Sequence, residues 1–176
     1  NQDLINVERV FGERNKTLSD FVALKIRDPQ HKVVLDFGAG NGHVARGFAK
    51  RFGRVICLDA NVDLHSHLTN LGFEVAASID ELIDDSLDLI LMTEVIEHLE
   101  FPIETLLKLR AKLRPDGAII ISTPSAGDDY EYRNAYDTES HLQFFTSKSL
   151  DKTLTYAGFK DLEEEGFGPH LYVPKS

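Results

Sequence analysis

KVVLDFGAGNGH, residues Lys32–His43, reads as a buried strand that turns abruptly and enters a helix. Apart from Lys32 at its start and Asp36, the run Lys32–Phe37 is apolar, the pattern of a strand covered on both faces. Glycines at 38, 40 and 42 let the backbone turn tightly and let a ligand approach where any Cβ would intrude. Val44, Phe48 and Phe52 recur at i, i+4 and i+8, one apolar helical face. The free N–H groups at the start of that helix suit an anionic group, such as a carboxylate or phosphate.

The same alternation continues outward. Arg54–Asp59, Phe73–Ala77, Leu87–Thr93 and Ala118–Ser122 have strand length and composition. Between them lie a helix over Asn61–Leu71, a short acidic helix around Ile79–Ile83, and a helix opened by Pro102 and stopped by Pro115-Asp116-Gly117. A last helix over about Ser147–Ala157 ends at Gly158, and Phe159–Glu165 with His170–Val173 form a closing hairpin. Strand–helix alternation with apolar strands predicts an α/β fold: a parallel sheet with helices on both faces and right-handed crossovers. Ligands of such sheets bind beyond the carboxyl ends of the strands.

With 176 residues, 42% of them hydrophobic, the chain has the size of one domain with its own core. Its formal net charge of −10 disfavours non-specific grip on nucleic acid or anionic membrane. The local clusters Arg46/Lys50/Arg51/Arg54 and Lys108/Arg110/Lys112/Arg114 read as solvated helix faces. The lone Cys57, inside the apolar run Val55–Leu58, excludes an internal disulfide and reads as a buried hydrophobe. No apolar run reaches the roughly 18 residues of a membrane span and no signal-type start is present, so a cytoplasmic protein is expected. The first residue is Asn, which leads us to expect a further domain or segment in the longer chain.

Asp59 closes the second strand, where a carboxylate can accept hydrogen bonds from both hydroxyls of a ribose. Paired with the glycine turn, it reads as a site for a nucleoside-bearing cofactor; the alternative is a purely structural turn. The dinucleotide fingerprint needs Gly or Ala at its sixth position, and counting from Gly38 that position is His43. This speaks against a nicotinamide-dependent oxidoreductase.

Asp36-x-Gly38-x-Gly40-x-Gly42 resembles the first motif of the class I S-adenosylmethionine-dependent methyltransferases. Leu91-Met92-Thr93-Glu94, Leu113-Arg114-Pro115-Asp116-Gly117 and Ser122-Thr123-Pro124 resemble the later landmarks of that family, and the likeness covers about Val33 to Phe159. It implies a Rossmann-like sheet and S-adenosylmethionine as cofactor. Residue by residue, Gly38, Gly40 and Gly42 would face the methionine part, with Asp36 near its ammonium end. Asp59 would hold the ribose, Ala60 and Asn61 would flank the adenine, and Ser78 and Ile79 would cover its other side. Glu94 would lie beside the cofactor. The chain then divides into an N-terminal lid segment (1–31), a cofactor-binding half (32–123) and an acceptor-side half (124–176).

Thr93-Glu94-Val95-Ile96-Glu97-His98 ends the fourth strand. If a helix starts here, Glu94, Glu97 and His98 share one face, and His141 arrives from beyond the fifth strand. Two carboxylates and two imidazoles suit a divalent cation, Mg²⁺ or Mn²⁺ among them. The competing reading has Glu97 and His98 merely capping and pairing at a helix start, with His98 or His141 as a metal-free general base. Glu-x-x-Glu-His with a later His resembles the small-RNA 3′-end 2′-O-methyltransferases. Glu97-His98 and the compact chain also resemble the O-methyltransferases of quinone biosynthesis and of sugars or small molecules. The acidic charge and the tyrosines Tyr130, Tyr132 and Tyr136 favour a small-molecule or sugar hydroxyl as acceptor over RNA. A cofactor-binding module without catalysis is the rival from another class.

Overall fold

The five apolar runs do become adjacent parallel strands. In a computed structural model, which describes residues 18, 22, 26–124, 140–166 and 170–175, they are β1 (Val33–Phe37), β2 (Arg54–Leu58), β3 (Glu74–Ala76), β4 (Leu87–Thr93) and β5 (Leu113–Ser122). The C-terminal pair, β6 (Lys160–Gly166) and β7 (His170–Lys175), completes one seven-stranded sheet in the order β3-β2-β1-β4-β5-β7-β6. β7 runs antiparallel to both β5 and β6, so it alone reverses the direction of the sheet. The expected C-terminal hairpin therefore extends the sheet instead of standing apart from it. Most of the expected N-terminal lid segment, residues 1–17 included, lies outside the described residues, as does the tyrosine-bearing stretch 125–139.

Successive strand residues point to opposite faces, so each apolar run feeds two cores. Leu35, Phe37, Ile56, Ile90, Met92, Ile119 and Ile121 pack on one side with Leu106 and Leu109 of α3 (Pro102–Lys112) and Leu150 and Leu154 of α4 (Ser147–Tyr156). Val34, Val55, Cys57, Leu89, Leu91 and Ile120 pack on the other with Ala45 and Phe48 of α1 (His43–Phe48) and Leu68 of α2 (His65–Asn70). Cys57 is a core hydrophobe as expected; burial, with the nearby Asp36 carboxylate, pushes its thiol up to about 12. Among the described residues, no helix is long and apolar enough to cross a membrane.

Two expectations shift at element ends. The helix expected over 61–71 splits into a 3₁₀ turn, Val62–Leu64, and the short α2, because Asn61 caps the turn by accepting from the Asp63 N–H at 3.1 Å. β5 begins at Leu113, five residues before Ala118, because Leu113 already pairs with Leu87 before a shift in register. α3 already ends at Lys112, so Pro115-Asp116-Gly117, expected to stop the helix, lies inside β5 instead.

At the amino ends of the strands, Asp88 is only 7% exposed and fully engaged. Its Oδ2 accepts from the Val33 N–H at 2.8 Å and from Arg114 at 2.7 Å, and its Oδ1 pairs with Lys32 at 3.0 Å. Burial alone raises a carboxyl, yet these donors outweigh it and hold Asp88 below its ordinary range.

Candidate active site

The parallel order brings the ends of β1, β2, β3 and β4 to one edge, where Asp36, Asp59, Glu94 and Glu97 gather. Gly38, Gly40 and Gly42 follow β1 with φ of 79°, 51° and 73°, a left-handed run that L side chains resist. A Cβ at Gly38 would come within 2.3 Å of Val95 Cγ2, so the β4 loop lies directly on the turn. At Gly40 a Cβ would meet nothing within 4 Å. The cradle is closed beneath Gly38 and open above Gly40.

Asp59 sits just beyond β2, half-buried. Its Oδ2 accepts from the Gly40 N–H at 2.7 Å and its Oδ1 from the Asn61 N–H at 2.8 Å, which fixes the plane of the carboxylate. A carboxylate offers about four acceptor positions, so both oxygens retain capacity for a diol. His65 contacts the Asp59 carbonyl through Nε2 at 2.8 Å. Ala60, Asn61 and Ser78 are exposed beyond β2 and β3, and Ile79 is half-buried. They occupy the sheet edge at which the adenine was expected. The Asn61 side chain is already committed to its cap.

Asp36, in β1, is 1% exposed. Its Oδ2 accepts from the Ala45 N–H at 2.9 Å, while its Oδ1 has no hydrogen-bond partner among the described residues. Burial pushes its carboxyl up to about 7; the Ala45 N–H pulls the other way, and the Asp59 charge adds a smaller upward push. An orphaned buried oxygen beside a second carboxylate is a place for a cationic group. The donor set thus fits a ligand carrying both a ribose and an ammonium.

The β4 end departs from expectation in a specific way. No helix carries Glu94, Glu97 and His98 on one face. Glu94 adopts a left-handed conformation (φ 55°), and only Ile96–His98 form a single 3₁₀ turn. The side chains separate accordingly. Glu94 Oε1 accepts from the Ser122 hydroxyl at 2.9 Å. Glu97 is buried, and its Oε2 accepts from the Thr123 hydroxyl at 3.0 Å.

Burial raises the Glu97 carboxyl above its usual range, and the Glu94 charge adds to this against hydrogen bonds from its own backbone and Thr123. Ligand atoms of Glu97, His98 and His141 all lie within 4.8 Å of one another, a group that could hold a metal ion and does not include Glu94. His141 reaches this place because the backbone N–H groups of Leu142 and Gln143 both bond to the Glu97 carbonyl, at 2.8 and 2.9 Å. The two imidazoles meet edge to face, ring centres 4.8 Å apart. His98 Nδ1 lies 2.8 Å from the Ser140 carbonyl, which can only accept, so Nδ1 carries a proton and, in the neutral ring, Nε2 presents its lone pair.

Ser122, Thr123 and the Ser140 carbonyl were not singled out from the sequence as parts of a site. Two hydroxyl residues closing the strand beside an acidic one were the signal available for the first two.

A sheet with this one reversed strand, a glycine turn after β1 and an acid after β2 defines a nucleotide-type α/β transferase architecture. The methyltransferase domain family model matches residues 9–164, and the chain belongs to that family. Among curated relatives, the ubiquinone biosynthesis O-methyltransferase of Rickettsia typhi is 29% identical over 125 residues, 66% of this chain and 51% of that protein. The chain therefore spans about half the length of that relative. A SAM-dependent methyltransferase from Archaeoglobus fulgidus has the same fold, with a TM-score of 0.75, 21% identity and coverage of 92% of this chain and 94% of that one. So does the 1,6-didemethyltoxoflavin N1-methyltransferase of Burkholderia thailandensis, solved with S-adenosylhomocysteine (TM-score 0.68, 23% identity, 92% and 76% covered).

Proposed function

We propose that the chain binds S-adenosylmethionine and methylates a hydroxyl of a small molecule or sugar, with a divalent cation at the acceptor. The observation that carries the cofactor reading is the pairing of an open Gly40 with Asp59 and the orphaned Asp36 oxygen along one edge. When bound, S-adenosylmethionine supplies a methyl group already activated on a sulfonium. Asp59 takes the ribose hydroxyls, Asp36 the ammonium, and the 77–79 segment after β3 borders the adenine. Residues 32–123 act as the cofactor half and 124–176 as the acceptor half of one domain.

Glu97, His98 and His141 would hold Mn²⁺ or Mg²⁺, which supplies charge to acidify the acceptor hydroxyl. Their task is to orient that hydroxyl toward the methyl group. Glu94 contributes negative charge between this group and the cofactor. Without metal, His98 Nε2 is the atom placed to take the hydroxyl proton. The Rickettsia relative supports an O-linked small-molecule acceptor. RNA 3′ ends offer similar hydroxyls, and the net charge of −10 ranks them second. One free, buried Cys57 fits action in a reducing cytoplasm.

The test is transfer of labelled methyl to catechols, sugars and RNA by the parent, His98→Ala and His141→Ala, with Mn²⁺ or with chelator. We expect each variant and the chelated parent to lose about 100-fold in rate while S-adenosylhomocysteine affinity holds. Full activity in chelator assigns His98 as a base and removes the metal. Faster transfer to RNA than to any small acceptor reverses the choice of substrate.

A further inference from the structure

β5 ends at Ser122 and Thr123 follows directly, two consecutive hydroxyl residues each bonded to a different carboxylate of the β4 loop. Ser122 faces Thr93 across the β4–β5 pairing, and its carbonyl accepts the Glu94 N–H at 2.9 Å. Its hydroxyl then returns to the same residue, on Oε1, at 2.9 Å. Glu94 is thereby tied by backbone and side chain together, which accounts for how its left-handed conformation is held. Thr123, 2% exposed, donates instead to Oε2 of the equally buried Glu97. Neighbouring residues of an extended chain project to opposite sides, so one dipeptide draws the two acids apart. Left alone, two nearby carboxylates repel.

We infer that Thr123 is a positioning residue: its hydroxyl fixes the buried Glu97 carboxylate toward His98 and His141, while Ser122 keeps Glu94 out of that group. Glu97 needs such a partner because a buried carboxylate left without hydrogen bonds is costly. The Thr123 hydroxyl and a bond from its own backbone occupy only part of the carboxylate's capacity, and one of its oxygens lies within 4.8 Å of a nitrogen of each imidazole. The inference rests on the metal reading of the three residues. It assigns the two hydroxyls different duties, which a merely structural strand end would not have.

The readout is Mn²⁺ binding followed by electron paramagnetic resonance, with S-adenosylhomocysteine affinity measured on the same samples. Thr123→Val keeps the shape and removes the donor; Thr123→Ser keeps the donor. We expect Thr123→Val to bind Mn²⁺ about tenfold to 100-fold more weakly than the parent, Thr123→Ser to recover to within about threefold, and Ser122→Ala, which releases the Glu94 carboxylate, to bind Mn²⁺ more tightly than the parent. Homocysteine-form cofactor affinity should hold in both Thr123 variants. Should Val unfold the chain, Thr123→Ala carries the same comparison. Undiminished Mn²⁺ binding in Thr123→Val overturns the positioning role and leaves the metal site standing. No Mn²⁺ binding by the parent overturns both. Unfolding of Thr123→Ser as well assigns the residue to the strand end and overturns the inference.

Discussion

The two edges of the sheet treat buried acids in opposite ways. At the amino edge Asp88 receives an N–H, a lysine and an arginine, and its carboxyl titrates below the usual range. At the carboxyl edge Asp36 receives one N–H, keeps one oxygen without a partner, and is pushed up to about 7. Both sit on neighbouring central strands and expose less than a tenth of their surface, Asp36 being the deeper of the two. One edge has used its hydrogen-bonding capacity to close the fold, and the other has left capacity unused. Unused capacity in a buried place destabilises the chain alone and is recovered only when a ligand arrives.

The strongest way to break the contrast is to fill the open edge. Gly40→Ala and Gly40→Val share the strain of a side chain at φ 51°, on the order of 1–2 kcal/mol. Ala adds a Cβ that touches nothing, whereas Val adds bulk to the space above the turn. Affinity for S-adenosylhomocysteine by calorimetry should fall about 100-fold or more in Val, roughly 3 kcal/mol, and much less in Ala. Equal losses in both variants would mean strain, not occupancy, controls the site.

Next in size is the closed edge. Asp88→Ala removes one partner from Lys32, Arg114 and the Val33 N–H at once, and should cost about 2–3 kcal/mol in denaturant unfolding. Because the Asp88 carboxyl is depressed, its contribution is present above its unfolded pKa near 4 and is lost as pH falls through its lower folded value. Cofactor affinity should not move. A coupled loss of binding would show that the two edges are not independent.

What could be read from the sequence follows the same division. The apolar runs, the glycine turn and Asp59 were legible because each rests on local spacing: strand period, positive φ, the end of a run. The Asp88 network joins residues 26 to 56 positions apart and has no local signature. The β4 loop misled for a related reason. The i, i+3, i+4 spacing of Glu94, Glu97 and His98 presumes a helix. The chain instead spends Glu94 on Ser122 and Glu97 on Thr123, 28 and 26 residues away. His141 was placed at the right edge from strand order alone. What holds it there, the two N–H groups on the Glu97 carbonyl, is again a long-range contact.

The smallest expected effect on binding is that of one proton. Asp36 has its folded pKa raised from 3.8 to about 7 by burial, so between those values the folded chain holds a proton that the unfolded chain has lost. Stability of the ligand-free protein should therefore fall as pH rises from about 4 to about 7 and level off above, the reverse of the Asp88 contribution. A cofactor ammonium beside the orphaned Oδ1 favours the ionised form. Binding below pH 7 must then expel the proton, and affinity should climb toward neutral pH by no more than about tenfold per unit. Calorimetry of S-adenosylhomocysteine at pH 6 in buffers of different ionisation enthalpy counts that proton directly. Asp36→Asn should erase both the release and the downward slope of stability, because an amide neither titrates nor offers charge. Persistent proton release in that variant would place the titrating group elsewhere on the edge and return Asp36 to a purely structural duty on Ala45.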